Sequence, residues 1–164
     1  MSTSYDRVIG VNDTVSDYAC DWWAVIDWHV YRRVLDQQGG PIGTPSIYGT
    51  QGFLSKLAGH STHPFPRRWS CDDMKAVPNI KSVDIGFHTA TAALALAFHL
   101  EATTIDAFGV DMVGGTNHLG ETCPHRKPNR WRNEIMLWDK MVASLKGEGV
   151  KVNRLQPVES GAHV

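Results

Sequence analysis

Cysteine is scarce in this chain. Cys20, Cys71 and Cys123 are an odd number at unrelated spacings, which excludes the disulfide framework of a small secreted domain. The opening MSTSYDRVIGVND has no apolar core of the kind a signal peptide needs. A reducing cytoplasm is therefore the expected location. No apolar run approaches the ~20 residues that span a bilayer. The longest, around Thr89–Leu100, has the length of a buried helix. Excess positive charge is missing too: the net charge of -1 argues against a general nucleic-acid binder. There is no nucleophile elbow, no Walker loop and no full dinucleotide fingerprint. Internal repeats and linker-like stretches are also lacking, so residues 1–164 read as one domain, large enough to bury a continuous core unaided.

Short apolar runs alternate with helical patterns. Arg7–Asn12 and Trp22–Asp27 read as buried strands, each closing on a polar residue. Trp28–Gln38 reads as a helix stopped by Gly39-Gly40-Pro41, and Pro45–Tyr48 as a short strand. From about 49 to 80, Gly, Pro, Ser and His blur the pattern, and only Phe53–Leu57 suggests a helical turn. That stretch is expected to be an irregular insertion serving as a lid, binding loop or oligomer contact. Gly86–Glu101 then reads as an alanine-rich buried helix, followed by a strand at Thr104–Gly109 and a second loop at Gly114–Pro128. Asn129–Lys146 is amphipathic through Trp131, Ile135, Trp138, Val142 and Leu145, and Val150–Leu155 is a last strand. This alternation predicts an α/β fold, a Rossmann-like, mostly parallel sheet with helices on both faces in three layers. The tryptophans beside the second strand and in the last helix, Trp22, Trp23, Trp131 and Trp138, are expected in the core rather than in base stacking.

The chemistry gathers where strands end. Asn12-Asp13, Asp27 and Asp111 close strands, and a parallel sheet lines such ends along one rim, the usual ligand edge. The turn Ser82–Gly86, with Asp84, opens the alanine-rich helix, whose free N–H groups suit a phosphate. Past Asp111, the loop GGTNHLGETCPHRKPNRWR offers His118 and His125 as acids or bases and Arg126, Lys127, Arg130 and Arg132 as anion partners. Positive charge at a helix N-terminus opposes the macrodipole unless an anion balances it. His118, Cys123 and His125, like His60, His63 and Cys71, lack the spacing of zinc sites. Zinc is not expected; magnesium accompanying a nucleotide diphosphate at Asp111 or Asp27 fits the carboxylates better.

The segment SVDIGFHTATAALALAFHLEATTIDAFGVD is similar to S-G-x-x-A-x-x-x-A-x-x-L-G-x-x-x-I-x-L-x-G-x-D, a pattern of two related groups. These are the small bacterial sialyltransferases and the 6-hydroxymethylpterin pyrophosphokinase-like domains. VIGVNDTVSDYACDWWAVID and the closing helix and strand also resemble them, so the likeness covers roughly two-thirds of the chain. The resemblance implies a nucleotide-using transferase, most like a glycosyltransferase with a nucleotide-sugar donor. It assigns nucleotide contacts to Asn12, Gly86 and Asp111, beside Asp13, Ser82 and Asp84, and a catalytic role to His118 or His125.

In those families a further strand and a Gly-rich phosphate loop precede the Asn strand, whereas here only MSTSYD does. The resemblance then implies phosphate contacts from elsewhere, or a reduced, non-catalytic relative whose open sheet edge is covered by homo-oligomerisation. Two alternatives stand beside the glycosyltransferase. One is a pyrophosphokinase-like enzyme with an absolute need for magnesium; the other is a nucleotide-binding or interaction protein without chemistry. A zinc-stabilised module is a third, weaker class.

Overall fold

The computed structural model describes residues 4–81, 84, 88–110 and 128–155, without the side chains of 128–131. The protein is α/β and Rossmann-like. Strands β1 (Ile9–Val11), β2 (Trp22–Ala24), β3 (Ser46–Gly49) and β4 (Arg68–Ser70) form one parallel sheet in the order β1-β2-β3-β4. Strands β5 (Thr104–Phe108) and β6 (Lys151–Leu155) form a second, two-stranded parallel sheet. The helices are α1 (Trp28–Gln37), α2 (Gln51–His60), α3 (Thr89–His99) and α4 (Pro128–Gly147). Among the described residues, no helix is long and apolar enough to cross a membrane.

Strand β2 explains the layering. Successive side chains on a strand point to opposite faces, and here both faces are buried. Trp23 and Val25 join Tyr31 and Val34 of α1 and Phe53 and Leu57 of α2 in one core. Trp22 and Ala24 join α3 and α4 in the other, through Ala92, Leu96, Met141 and Leu145. A strand covered twice has no polar face, which is why WWAVID is almost continuously apolar. Trp22, Trp23 and Trp138 are core residues, as expected.

The register aligns Val11, Ala24, Tyr48 and Trp69 across the sheet. The residues that follow therefore share one carboxyl edge. Helices α1 and α2 start directly at that edge, capped by the side chains of Asp27 and Thr50.

Helices α3 and α4 cover the second face side by side and run in the same direction. His88 meets Glu134 at one end, while Phe98 and Glu101 share a depression of about 230 Å³ with Glu148 and Val150 at the other. Each helix ends just before a strand of the β5–β6 pair, so both N-termini lie towards that pair's carboxyl edge. Tyr5 ties the chain entering β1 to β5: its hydroxyl donates to Asp106, and its ring meets Phe108 edge-on.

The stretch 49–80 differs from expectation. It holds a ten-residue helix, α2, and the fourth strand, β4, rather than irregular chain alone. Helix α2 buries only Phe53 and Leu57, and β4 is three residues of edge strand with Arg68 exposed. Neither gives a long periodic pattern.

Gly49 marks the tightest join between β3 and α2. A Cβ there would stand 2.5 Å from the Val25 carbonyl oxygen and 2.7 Å from the Phe53 ring. Gly49→Ala should therefore destabilise the protein by about 2–3 kcal/mol. Gly52→Ala, with nothing within 4 Å of its new methyl, should be neutral or stabilising by up to ~1 kcal/mol. Urea denaturation of the two variants checks the pair; equal midpoints would refute the close packing.

Candidate functional site

The carboxyl edge of the four-stranded sheet carries Asn12 and Asp13 after β1, Asp27 after β2, Thr50 after β3, and Ser70 to Asp73 at the end of β4. Most of these side chains hold the fold together. Asp13 is only 6% exposed and pairs with the Arg33 guanidinium of α1. Asp27 accepts from the His29 N–H at 2.8 Å, and Thr50 accepts from Phe53 N–H at 3.2 Å. Ser70 Oγ accepts from Asp72 N–H while Asp73 accepts from Ser70 N–H, closing the single turn after β4.

Asn12 is different. It sits in the left-handed region at φ 56°, a conformation that asparagine tolerates better than most residues. The strain is held from both sides. The Trp23 indole N–H donates to the Asn12 carbonyl at 2.6 Å. Next to it, the Thr14 hydroxyl both accepts from Val11 N–H and donates to the Val11 carbonyl, each at 2.9 Å. The Asn12 side-chain oxygen is sealed from solvent and has no hydrogen-bond partner. An acceptor left this way is destabilising by about 1–3 kcal/mol until a donor reaches it. Strained, over-determined residues of this kind gather at ligand sites.

The other expected residues fall as follows. Asp84 accepts from the Lys81 N–H at 3.3 Å, a turn contact. Ser82, Gly86, Asp111, His118, His125, Arg126 and Lys127 lie outside the described residues, as does the side chain of Arg130. The residues His60, His63 and Cys71 do not converge. His60 meets Trp28 edge-on and His63 lies tilted against Phe65, on the α1–α2 face, while Cys71 is in the opposite core. Among the described residues, no three His, Cys, Asp or Glu side chains form a metal-holding group.

Three features escaped the sequence. Arg33 claims Asp13 from a neighbouring element. His88, just before α3, lies 3.4 Å from Glu134 of α4 through its Nδ1. Thr91, in the first turn of α3, is fully buried with an unpartnered hydroxyl. Each depends on a long-range contact that no local spacing announces. Cys71 is likewise inert by position. Burial pushes its thiol up, beside a Tyr48 phenol that burial raises further still. A second depression, of about 350 Å³, opens next to Cys71 and runs along Met74, Lys75 and Val77 to Lys81.

No family model, curated protein or solved structure matches this chain.

Asp13→Ala should destabilise the protein by about 3 kcal/mol, because it strands a largely buried guanidinium. Asp27→Ala, a lost cap, should do so by about 1 kcal/mol. Urea denaturation separates the two, and similar values would argue against a buried pair. His63 supplies a pH dependence. Burial lowers it below its ordinary 6.5, so between the two values the unfolded chain binds a proton that the native state does not. Its contribution is intact above the unfolded value and drains as pH falls through that window. His63→Gln should therefore flatten the loss of stability as pH falls below about 6.5; an unchanged slope would show that His63 binds its proton equally well in the folded and unfolded chain.

Proposed function

We propose that this protein binds a nucleotide at the carboxyl edge of its parallel sheet and acts as a transferase on a nucleotide-sugar donor. The observation that carries the reading is Asn12. It follows β1 in a strained conformation, with a buried amide oxygen that lacks a donor. A nucleotide offers such donors in its ribose hydroxyls and base N–H groups. The edge itself is where parallel α/β sheets bind ligands. Donor phosphates fall to the basic loop around Arg126, Lys127 and Arg130, and the proton for the departing phosphate to a loop histidine, His118 or His125.

Magnesium enters this reading only as the companion of a diphosphate. The described carboxylates do not fit a cage of their own, since Asp13 pairs with Arg33 and Asp27 caps α1. That same engagement of the edge acids favours a second reading, a nucleotide-binding protein without chemistry. Homo-oligomerisation belongs with either reading, as cover for an open sheet edge.

The test is a thermal-shift panel of CMP, UDP, GDP, ADP, ATP and their sugar conjugates, with and without magnesium. A selective ligand at about 100 times its Kd should add about 2.7 kcal/mol of stability. Asn12→Gly, which accepts the left-handed backbone but has no amide, should fold normally and lose that response. A panel flat for wild-type protein would sink the nucleotide, and an undiminished response in Asn12→Gly would remove Asn12 from the site. Donor hydrolysis, followed by nucleotide release, separates the transferase from the binder.

A further inference from the structure

We infer that His88 and Glu134 form a proton-accepting dyad that serves the acceptor hydroxyl; the inference rests on the nucleotide-transferase reading above. His88 immediately precedes α3 and makes no side-chain cap to it, so the ring is not spent on the helix end. Its Nδ1 is sealed from solvent and faces Glu134 Oε1 at 3.4 Å, with 17% and 16% of the two side chains exposed. At that distance the contact is electrostatic rather than a formed hydrogen bond. Catalytic contacts are often this long before a ligand draws them in. With Nδ1 turned towards the carboxylate, the open part of the ring is its Nε2 edge.

A carboxylate beside Nδ1 fixes which nitrogen carries the proton and leaves Nε2 as the acceptor. Thr91 follows on the same helix face, three residues on. It is fully buried, and its hydroxyl has no partner. An unsatisfied hydroxyl thus accompanies a largely buried imidazole, whose Nδ1 is itself without a formed hydrogen bond, at the N-terminal end of α3. That end lies towards the carboxyl edge of the β5–β6 pair, and α3 itself packs on β1, the strand that Asn12 follows.

The step is a substitution at the donor sugar. The acceptor O–H breaks and its proton passes to His88 Nε2. The acceptor oxygen forms a bond to the anomeric carbon. The bond from that carbon to the phosphate oxygen breaks, and its electron pair leaves with the nucleoside phosphate. Glu134 orients the ring and balances the imidazolium that forms; it does not take the proton itself.

Diethyl pyrocarbonate labelling of the whole chain tests this, with adducts located by mass spectrometry in wild-type protein, Glu134→Ala and Glu134→Gln. The expected result is an Nε2 adduct at His88 that forms faster than the adduct at exposed His29. It should slow several-fold in Glu134→Ala and recover in Glu134→Gln, whose amide oxygen still accepts from Nδ1–H. A His88 that labels no faster than His29, or equally in all three proteins, is a packing residue, and the dyad is overturned. The nucleotide that stabilises the protein in the thermal panel should shield His88 and leave His29 open; labelling indifferent to it removes the dyad from the ligand site. If no nucleotide stabilises the protein while His88 labels as described, the nucleotide reading fails and the dyad is supported. With a donor that is turned over, His88→Gln should lower kcat about 10²-fold with KM little changed. An unchanged kcat overturns the role.

Discussion

Two neighbouring tryptophans on β2 point opposite ways, and neither is left in water. Trp23 is buried among the aromatic rings of α1 and α2, and Trp22 among the residues of α3 and α4. Burying an aromatic side chain of this size is worth about 2–3 kcal/mol or more on each side, so a two-layer arrangement would forfeit one of them. The sheet must be covered twice. From that demand follow the parallel pairing, the return of each helix against the strands, and the gathering of strand ends on one edge. Trp23 also reaches across to β1, where its indole holds the Asn12 carbonyl. The residue that anchors one core thus sets the backbone of the candidate site.

The polar residues at that edge divide by use. Asp27, Thr50 and Ser70 satisfy N–H groups at the starts of helices and turns, as such ends require. Asp13 neutralises Arg33 inside the fold. An edge rich in acids and hydroxyls is therefore less available to ligands than its composition suggests. Among the described edge residues, Asn12 retains an unsatisfied group, and at the start of α3 His88 and Thr91 retain others. Vacant hydrogen-bonding capacity in buried places marks where a ligand adds most.

Much of the fold was legible because its signals are local. β1, β2, β3 and β6 stand out as β-branched or aromatic runs, and α1 and α4 as periodic patterns with glycine just beyond them. The alanine-rich α3 was legible as a buried helix and β5 as the strand after it, although β5 is only half-buried and leaves Phe108 exposed. Helix α2 and strand β4 were not. QGFLSKLAGH carries two glycines and a weak apolar stripe, and RWS is too short to alternate. The site was legible to the extent that position decides it: Asn12 could be placed at a strand end. Its left-handed backbone, the pairing of Asp13 with Arg33 and the approach of His88 to Glu134 are tertiary facts. Residues far apart in the chain meet there, and no spacing foretells it.

The sheet that separates the two cores also separates their repacking. Among the described residues, the buried apolar side chains of the α1–α2 face and of the α3–α4 face form separate clusters, with the four strands between them. A volume lost on one side has to be refilled from that side. A substitution in such a molecule is relieved by repacking within its own compartment rather than across the sheet. Strand β2, which belongs to both, is where substitution is most confined: each of its residues answers to a different set of neighbours, yet all share one backbone position.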